Sequence, residues 1–233
     1  MVLAWRAALF ALAGLLFGWF LTVLVHRIPG KERVIRGSCR SCREPKSLVY
    51  PLTELATAGL FAGAALAFED LLLACLVAPF LGLMLAVGLI DARWRIVPNA
   101  IMYPALVGYL AALAIADLAG SGVSFLRGLL GLGAYAGPLL LVALAVPGGM
   151  GMGDVKLAAL IGLVLGSIGL SYVAVAAGVG ILGGGLGAIL AMLLLGYRRG
   201  QQIPFGPYLA GGAIVAAFAA PSMSSLYLSL LGR

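Results

Sequence analysis

Charge is what this sequence has least of. Only 10% of its 233 residues are Asp, Glu, Lys or Arg and 63% are hydrophobic, whereas an ordinary soluble domain carries roughly 25% charged residues. That scarcity excludes a water-soluble fold. Metal-ligating side chains are scarce as well: His26 is the single histidine, and the cysteines are Cys39, Cys42 and Cys75. Structural zinc takes a closed set of four ligands, and Cys75 lies inside an apolar run, so one chain cannot easily complete such a site. The first apolar segment also lacks the basic start and small-residue cleavage site of a secretory signal, and reads as a retained span.

What is present is long apolar runs. A helix needs about 20 mostly apolar residues to cross a bilayer, because its backbone groups must be hydrogen-bonded within the segment. Runs with little or no charge extend from Ala7 to Val25, Thr53 to Phe68, Leu71 to Ile90, Ile96 to Ala116 and Gly128 to about Val146. The uncharged stretch from Leu157 to Tyr197 is too long for one helix and suits two, joined by a turn near Gly169, Ser171 and Tyr172. A shorter run from Phe205 to Ala220 completes an all-α, polytopic membrane protein of about eight transmembrane helices. The chain reads as one membrane domain, 1–233, whose sizeable polar piece is the loop at about 26–52. The glycines between Gly178 and Gly187 suit close helix packing.

Orientation follows from Lys and Arg, which accumulate in cytoplasmic loops. With both termini outside, the inner loops hold Arg27, Lys31, Arg33, Arg36, Arg40, Arg43, Lys46, Arg93, Arg95, Lys156, Arg198 and Arg199, twelve of the fifteen basic residues. The net charge of +7 is thereby explained by the membrane and its anionic lipids, with no call for nucleic acid.

Ionisable groups at membrane depth are costly and mark candidate sites. Asp91 follows the run that ends at Ile90, and Asp154 closes the segment Gly148-Gly-Met-Gly151-Met-Gly153. Two spans separate them, so both acids return to the cytoplasmic edge. Two carboxylates at short range share one proton; one activates water against a peptide carbonyl while the other donates to the carbonyl oxygen and then to the leaving amine. The residues alone leave other roles open: Asp154 as the N-cap of the sixth helix, and Asp91 as a solvated helix-end residue beside Arg93 and Arg95.

The segment Gly151-Met-Gly153-Asp154-Val-Lys156-Leu157 resembles the GxGD-x-K-[LM] signature of bacterial prepilin leader peptidases, and Asp91 followed by Ile96-Val97-Pro98-Asn99 resembles their first catalytic motif. Gly18 to Pro29, Arg36-Gly37-Ser-Cys39-Arg-Ser-Cys42, Tyr50-Pro51-Leu-Thr-Glu54-Leu55 and Ile203-Pro204-Phe205-Gly206-Pro207-Tyr208 resemble further family segments in the same order. The resemblance implies a membrane aspartyl endopeptidase of the bacterial inner membrane that removes the basic leader of prepilins or pseudopilins after a glycine, on the cytoplasmic side. It implies Asp91 and Asp154 as the catalytic pair, needing no cofactor for proteolysis. Gly151, Gly153, Lys156 and Glu54 are candidate substrate or motif supports; Lys156 would tune the pair or reach lipid headgroups, and Glu54 would meet the basic leader or favour its own helix dipole.

Many members of that family also methylate the new N-terminus with S-adenosylmethionine. Two departures bear on this second activity. Fuller members carry two Cys-x-x-Cys pairs and this chain has only Cys39 and Cys42, at most half of a zinc site, so zinc is not expected. The family's Ser and Asn near the end of the first span are Trp19 and Thr22 here. The alternatives are another GxGD protease of the signal-peptide-peptidase or preflagellin type, and a proton-coupled transporter. The transporter would place its acids near mid-bilayer and show inverted repeats; the Cys-x-x-Cys and Tyr-Pro-Leu-Thr-Glu segments favour the prepilin group.

Overall fold

The computed structural model describes residues 2–27, 49–146, 150–194 and 204–230. Among them the secondary structure is helical throughout, in eight α-helices: α1 (Val2–Arg27), α2 (Val49–Ala67), α3 (Leu71–Trp94), α4 (Asn99–Leu118), α5 (Phe125–Ala145), α6 (Met152–Ile168), α7 (Leu170–Leu194) and α8 (Gly206–Leu230). Each apolar run of the sequence becomes one helix, and among the described residues the long uncharged stretch breaks once, at Gly169 between α6 and α7. The segments Leu3–Val25, Leu71–Trp94, Asn99–Leu118, Phe125–Ala145 and Leu170–Gly187 are long and apolar enough to cross a membrane; Pro51–Ala67 and Gly206–Ala220 are apolar and shorter. The chain is a polytopic helical membrane protein.

Two boundaries differ from the sequence reading. Helix α3 continues beyond Ile90, so Asp91 belongs to its last turn and not to the loop that follows. Helix α6 starts at Met152 with Gly151 as N-cap, which makes Asp154 its third residue and removes it from the capping position. Periodicity cannot locate such ends, because an apolar run stops where burial stops while the backbone ladder continues until a residue leaves helical geometry.

The chain forms two compact units, Met1–Ile90 and Asp91–Arg233. In the first, α1 lies against α2 through a face bared by two glycines four residues apart. A Cβ at Gly14 would sit 2.7 Å from Ala58 Cα, and one at Gly18 would sit 2.9 Å from Glu54 Cα. The backbones touch, as in small-residue packing within membranes, where no hydrophobic force separates helix from lipid. At the other end of α2, Arg6 donates to the carbonyls of Phe68 (2.6 Å) and Glu69 (2.7 Å), satisfying acceptors that the helix end leaves free.

The second unit is built around α6, which packs against α4, α5, α7 and α8. Every residue from Leu160 to Ser167 is buried, as suits a helix apolar on all sides. Gly131 and Gly162 bring α5 and α6 into backbone contact, and a Cβ at either would overlap the other's carbonyl. This central helix carries Asp154 in its first turn.

Candidate active site

Asp91 reaches its position through the end of α3. The ladder runs one step past it, with the Arg95 amide donating to the Asp91 carbonyl at 2.8 Å. Arg95 then takes a left-handed conformation (φ 56°), which ends the helix, and a short extended link leads through Pro98 into α4. The carboxyl side chain is only 4% exposed. Its partner comes from the far end of the sequence: the Gly206 amide, the first of α8, donates to Asp91 Oδ2 at 3.0 Å. The first amides of a helix lack intrahelical acceptors and carry the positive end of its dipole, so this end of α8 favours a negative charge on Asp91. Only glycine permits the approach, since a Cβ at position 206 would lie 2.6 Å from that same oxygen and 2.9 Å from Asp91 Cγ. Pro207 follows in the first turn, where a missing N–H interrupts no ladder bond.

Asp154 stands before the apolar run that begins at Leu157, in the first turn of α6. Burial and then the like charge of Asp91 push its carboxyl up to about 6, against a smaller lowering by a backbone hydrogen bond with Gly151. Asp91 is thus near enough for its charge to bear on the Asp154 carboxyl. The expected glycines have separate tasks. A Cβ at Gly151 would stand 3.3 Å from Asp154 Oδ2, and one at Gly153 would stand 2.8 Å from Val97 Cβ in the link that follows Asp91. Gly151 leaves room for the Asp154 carboxyl, and Gly153 lets the α6 N-terminus lie against the α3–α4 link.

Lys156 also belongs here. Its Nζ donates to Asn99 Oδ1 at 2.8 Å and lies 4.7 Å from the centre of the Tyr103 ring. Glu54 belongs to the first unit, in the second turn of α2. Cys39 and Cys42 lie outside the described residues. Among the described residues no three His, Cys, Asp or Glu side chains stand together as a metal site. Two positions were not singled out from the sequence. Gly206 was visible only within the segment Ile203-Pro204-Phe205-Gly206-Pro207-Tyr208, and Asn99 only as the last residue of Ile96-Val97-Pro98-Asn99.

This chain matches the Type IV leader peptidase family over residues 78–196 and the Bacterial Peptidase A24 N-terminal domain over residues 33–68. It is 35% identical to a prepilin leader peptidase/N-methyltransferase of Bacillus subtilis, covering 84% of this chain and 76% of the relative. Proteins of the same name from Aeromonas hydrophila (34% identical, 84% of this chain, 67% of the relative) and Pseudomonas putida (30%, 89% and 74%) are similar along most of their length. No solved structure matches significantly. Both acids of the site fall within the segment matched by the peptidase family, and on these matches the chain belongs to the type IV leader peptidase family.

Proposed function

We propose that this protein cuts the basic leader from type IV prepilins or pseudopilins, after a glycine and at the cytoplasmic face of the bacterial inner membrane, with Asp91 and Asp154 as its catalytic dyad. The observation that carries the reading is two acids 63 positions apart in sequence, each in the end turn of a helix, with the charge of Asp91 near enough to raise the Asp154 carboxyl. Asp91 is assigned as the base, its carboxyl held in place by the amide at the start of α8. Asp154 holds the shared proton. Asp91 takes a proton from water as the water oxygen bonds to the scissile carbonyl carbon, and Asp154 gives its proton to the carbonyl oxygen. Collapse of the gem-diol breaks the C–N bond as the proton now on Asp91 passes to the departing amine and Asp154 takes a proton back from one gem-diol hydroxyl, which becomes the new carbonyl. The dyad calls for no cofactor in this reaction.

The family's printed name supports a second step, N-methylation of the new amino terminus from S-adenosylmethionine. Orientation rests on the asymmetry of basic residues. In a background without native cysteines, a cysteine at Ser47 reacts only with a membrane-permeant reagent, and one at Ser121 reacts from outside; the reverse pattern overturns the assigned face.

One experiment separates the activities. The purified protein is incubated with a prepilin peptide and S-adenosylmethionine and the products are weighed. Loss of the leader mass supports the peptidase reading, and a further methyl mass on the mature fragment supports the second. An intact peptide in the presence of folded enzyme overturns the proposal.

A further inference from the structure

The side chain of Asn99 does not serve the helix it opens. Residues of this type at a helix start usually bond to nearby backbone; α4 has Pro98 as its N-cap, and Asn99 Oδ1 accepts from Lys156 Nζ, 57 positions away on α6. The ammonium also lies over the Tyr103 ring, one turn further along α4, an arrangement that is attractive in its own right. Each end of this exposed contact lies a short run of chain away from one of the two acids. Lys156 is two residues after Asp154 within the same helical turn. Asn99 follows Asp91 by way of the hydrogen bond from the Arg95 amide to the Asp91 carbonyl, the left-handed Arg95 and the fixed φ of Pro98. The same two strands of chain meet again where Gly153 lies against Val97. A displacement of Lys156 relative to Asn99 therefore moves one carboxyl relative to the other.

We infer that Lys156, Asn99 and Tyr103 form a clamp that fixes the separation of the Asp91 and Asp154 carboxyls, with Lys156 and Asn99 acting as positioning residues for peptide cleavage. The inference rests on the dyad reading above. It gives Lys156 a role that neither direct contact with substrate nor anchoring in lipid headgroups would supply, because both of those would leave Asn99 uninvolved.

The test uses the full-length enzyme with a prepilin peptide and four variants: Lys156→Met, Asn99→Leu, their combination, and Lys156→Arg. A clamp predicts that each single change lowers kcat by roughly 10-fold or more with KM within about 3-fold, since loss of geometry touches the transition state and not ground-state binding. The double variant is no worse than the poorer single one, because the same contact is removed twice. Lys156→Arg, which keeps a donor and a cation over the ring, recovers most of the rate. Asn99→Leu changes no charge, so its pH profile is diagnostic: looser carboxyls repel less, and the alkaline limb of kcat/KM moves to lower pH. Should Lys156→Met fail to fold, Asn99→Leu and its pH profile decide the matter alone. Multiplicative losses in the double variant, a loss confined to KM, or Asn99→Leu with both wild-type rate and wild-type pH limbs would each overturn the clamp. Those results alongside inactive Asp91→Asn and Asp154→Asn variants would remove the clamp and leave the dyad; active dyad variants would remove the dyad itself.

Discussion

The two ends of α4 present the same hydrogen bond in opposite settings. Asp117, in the last turn of α4, accepts from the Phe125 amide at the start of α5 at 3.1 Å, and Asp91, just before α4, accepts from the Gly206 amide at the start of α8 at 3.0 Å. The first joins residues eight apart and is exposed; the second joins residues 115 apart and is buried. Twenty residues of helix, about 30 Å, separate the two ends. An exposed carboxylate that meets the amide of the next helix shapes a turn and remains hydrated. A buried one is shielded from water by the protein around it. The same bond shapes a turn at one end and, on the proposed function, holds a reacting group at the other, and what differs is burial and the neighbouring charge.

The sharpest way to break this contrast is to neutralise each acid. Asp91→Asn and Asp154→Asn are each expected to lower leader cleavage by about 10³-fold or more, since Asn keeps the shape but neither accepts nor donates the proton, while Asp117→Asn and Glu69→Gln stay within about 2-fold. A peptide-cleavage assay on preparations free of other peptidases measures it. Near-normal turnover by either dyad variant would end the assignment.

Next in size is Gly206→Ala. Its methyl would fall on the Asp91 carboxyl, so cleavage is expected to drop about 100-fold, as for the loss of a well-aligned reacting group. Circular dichroism and the detergent melting curve should stay close to wild type. A fully active alanine variant would mean that α8 does not hold Asp91 in the working enzyme.

The pH profile gives a smaller effect. Protonation of Asp91 stops the base at low pH, and loss of the Asp154 proton stops the acid as pH rises, so kcat/KM should be bell-shaped, with its alkaline limb at about 6. Because the two groups interact, the limbs belong to the pair. In Asp117→Asn both limbs should be unchanged.

The smallest effect is on stability and has the opposite sign to the loss of activity. The Asp154 carboxyl titrates at about 6 in the fold against an ordinary value of 3.8. Folding thus favours its protonated form, a contribution complete below about 4 and lost as pH rises through 6. At pH 7.5 the wild-type protein carries a half-buried charge that Asp154→Asn lacks. The variant should then be more stable by on the order of 1–2 kcal/mol, and no more stable at pH 4. Paired thermal melts at the two pH values measure this, and a gain at pH 4 equal to that at pH 7.5 would contradict it.

Much of this was legible in the order of residues. Helix number and class follow from the apolar runs, because in lipid a backbone must close its hydrogen bonds within one segment. Asp91 and Asp154 stand out because charge is rare here, and their return to one edge follows from counting spans. A turn near Gly169, Ser171 and Tyr172 was likewise visible, because the uncharged stretch from Leu157 to Tyr197 is too long for one helix. Lys156 was visible as a motif residue with two competing roles, and its third, toward Asn99 and Tyr103, was not.

What only the tertiary structure decided are the contacts between segments far apart in the chain. The extension of α3 past Ile90, the N-cap at Gly151, the Gly206 amide on Asp91 and the Lys156–Asn99 bond all depend on which helix ends come together. Periodicity and composition report how each segment meets lipid, and they do so residue by residue. A long-range hydrogen bond needs two segments placed to within a few tenths of an ångström, and that placement is set by packing around α6, where glycine faces such as Gly131 on Gly162 let backbones touch.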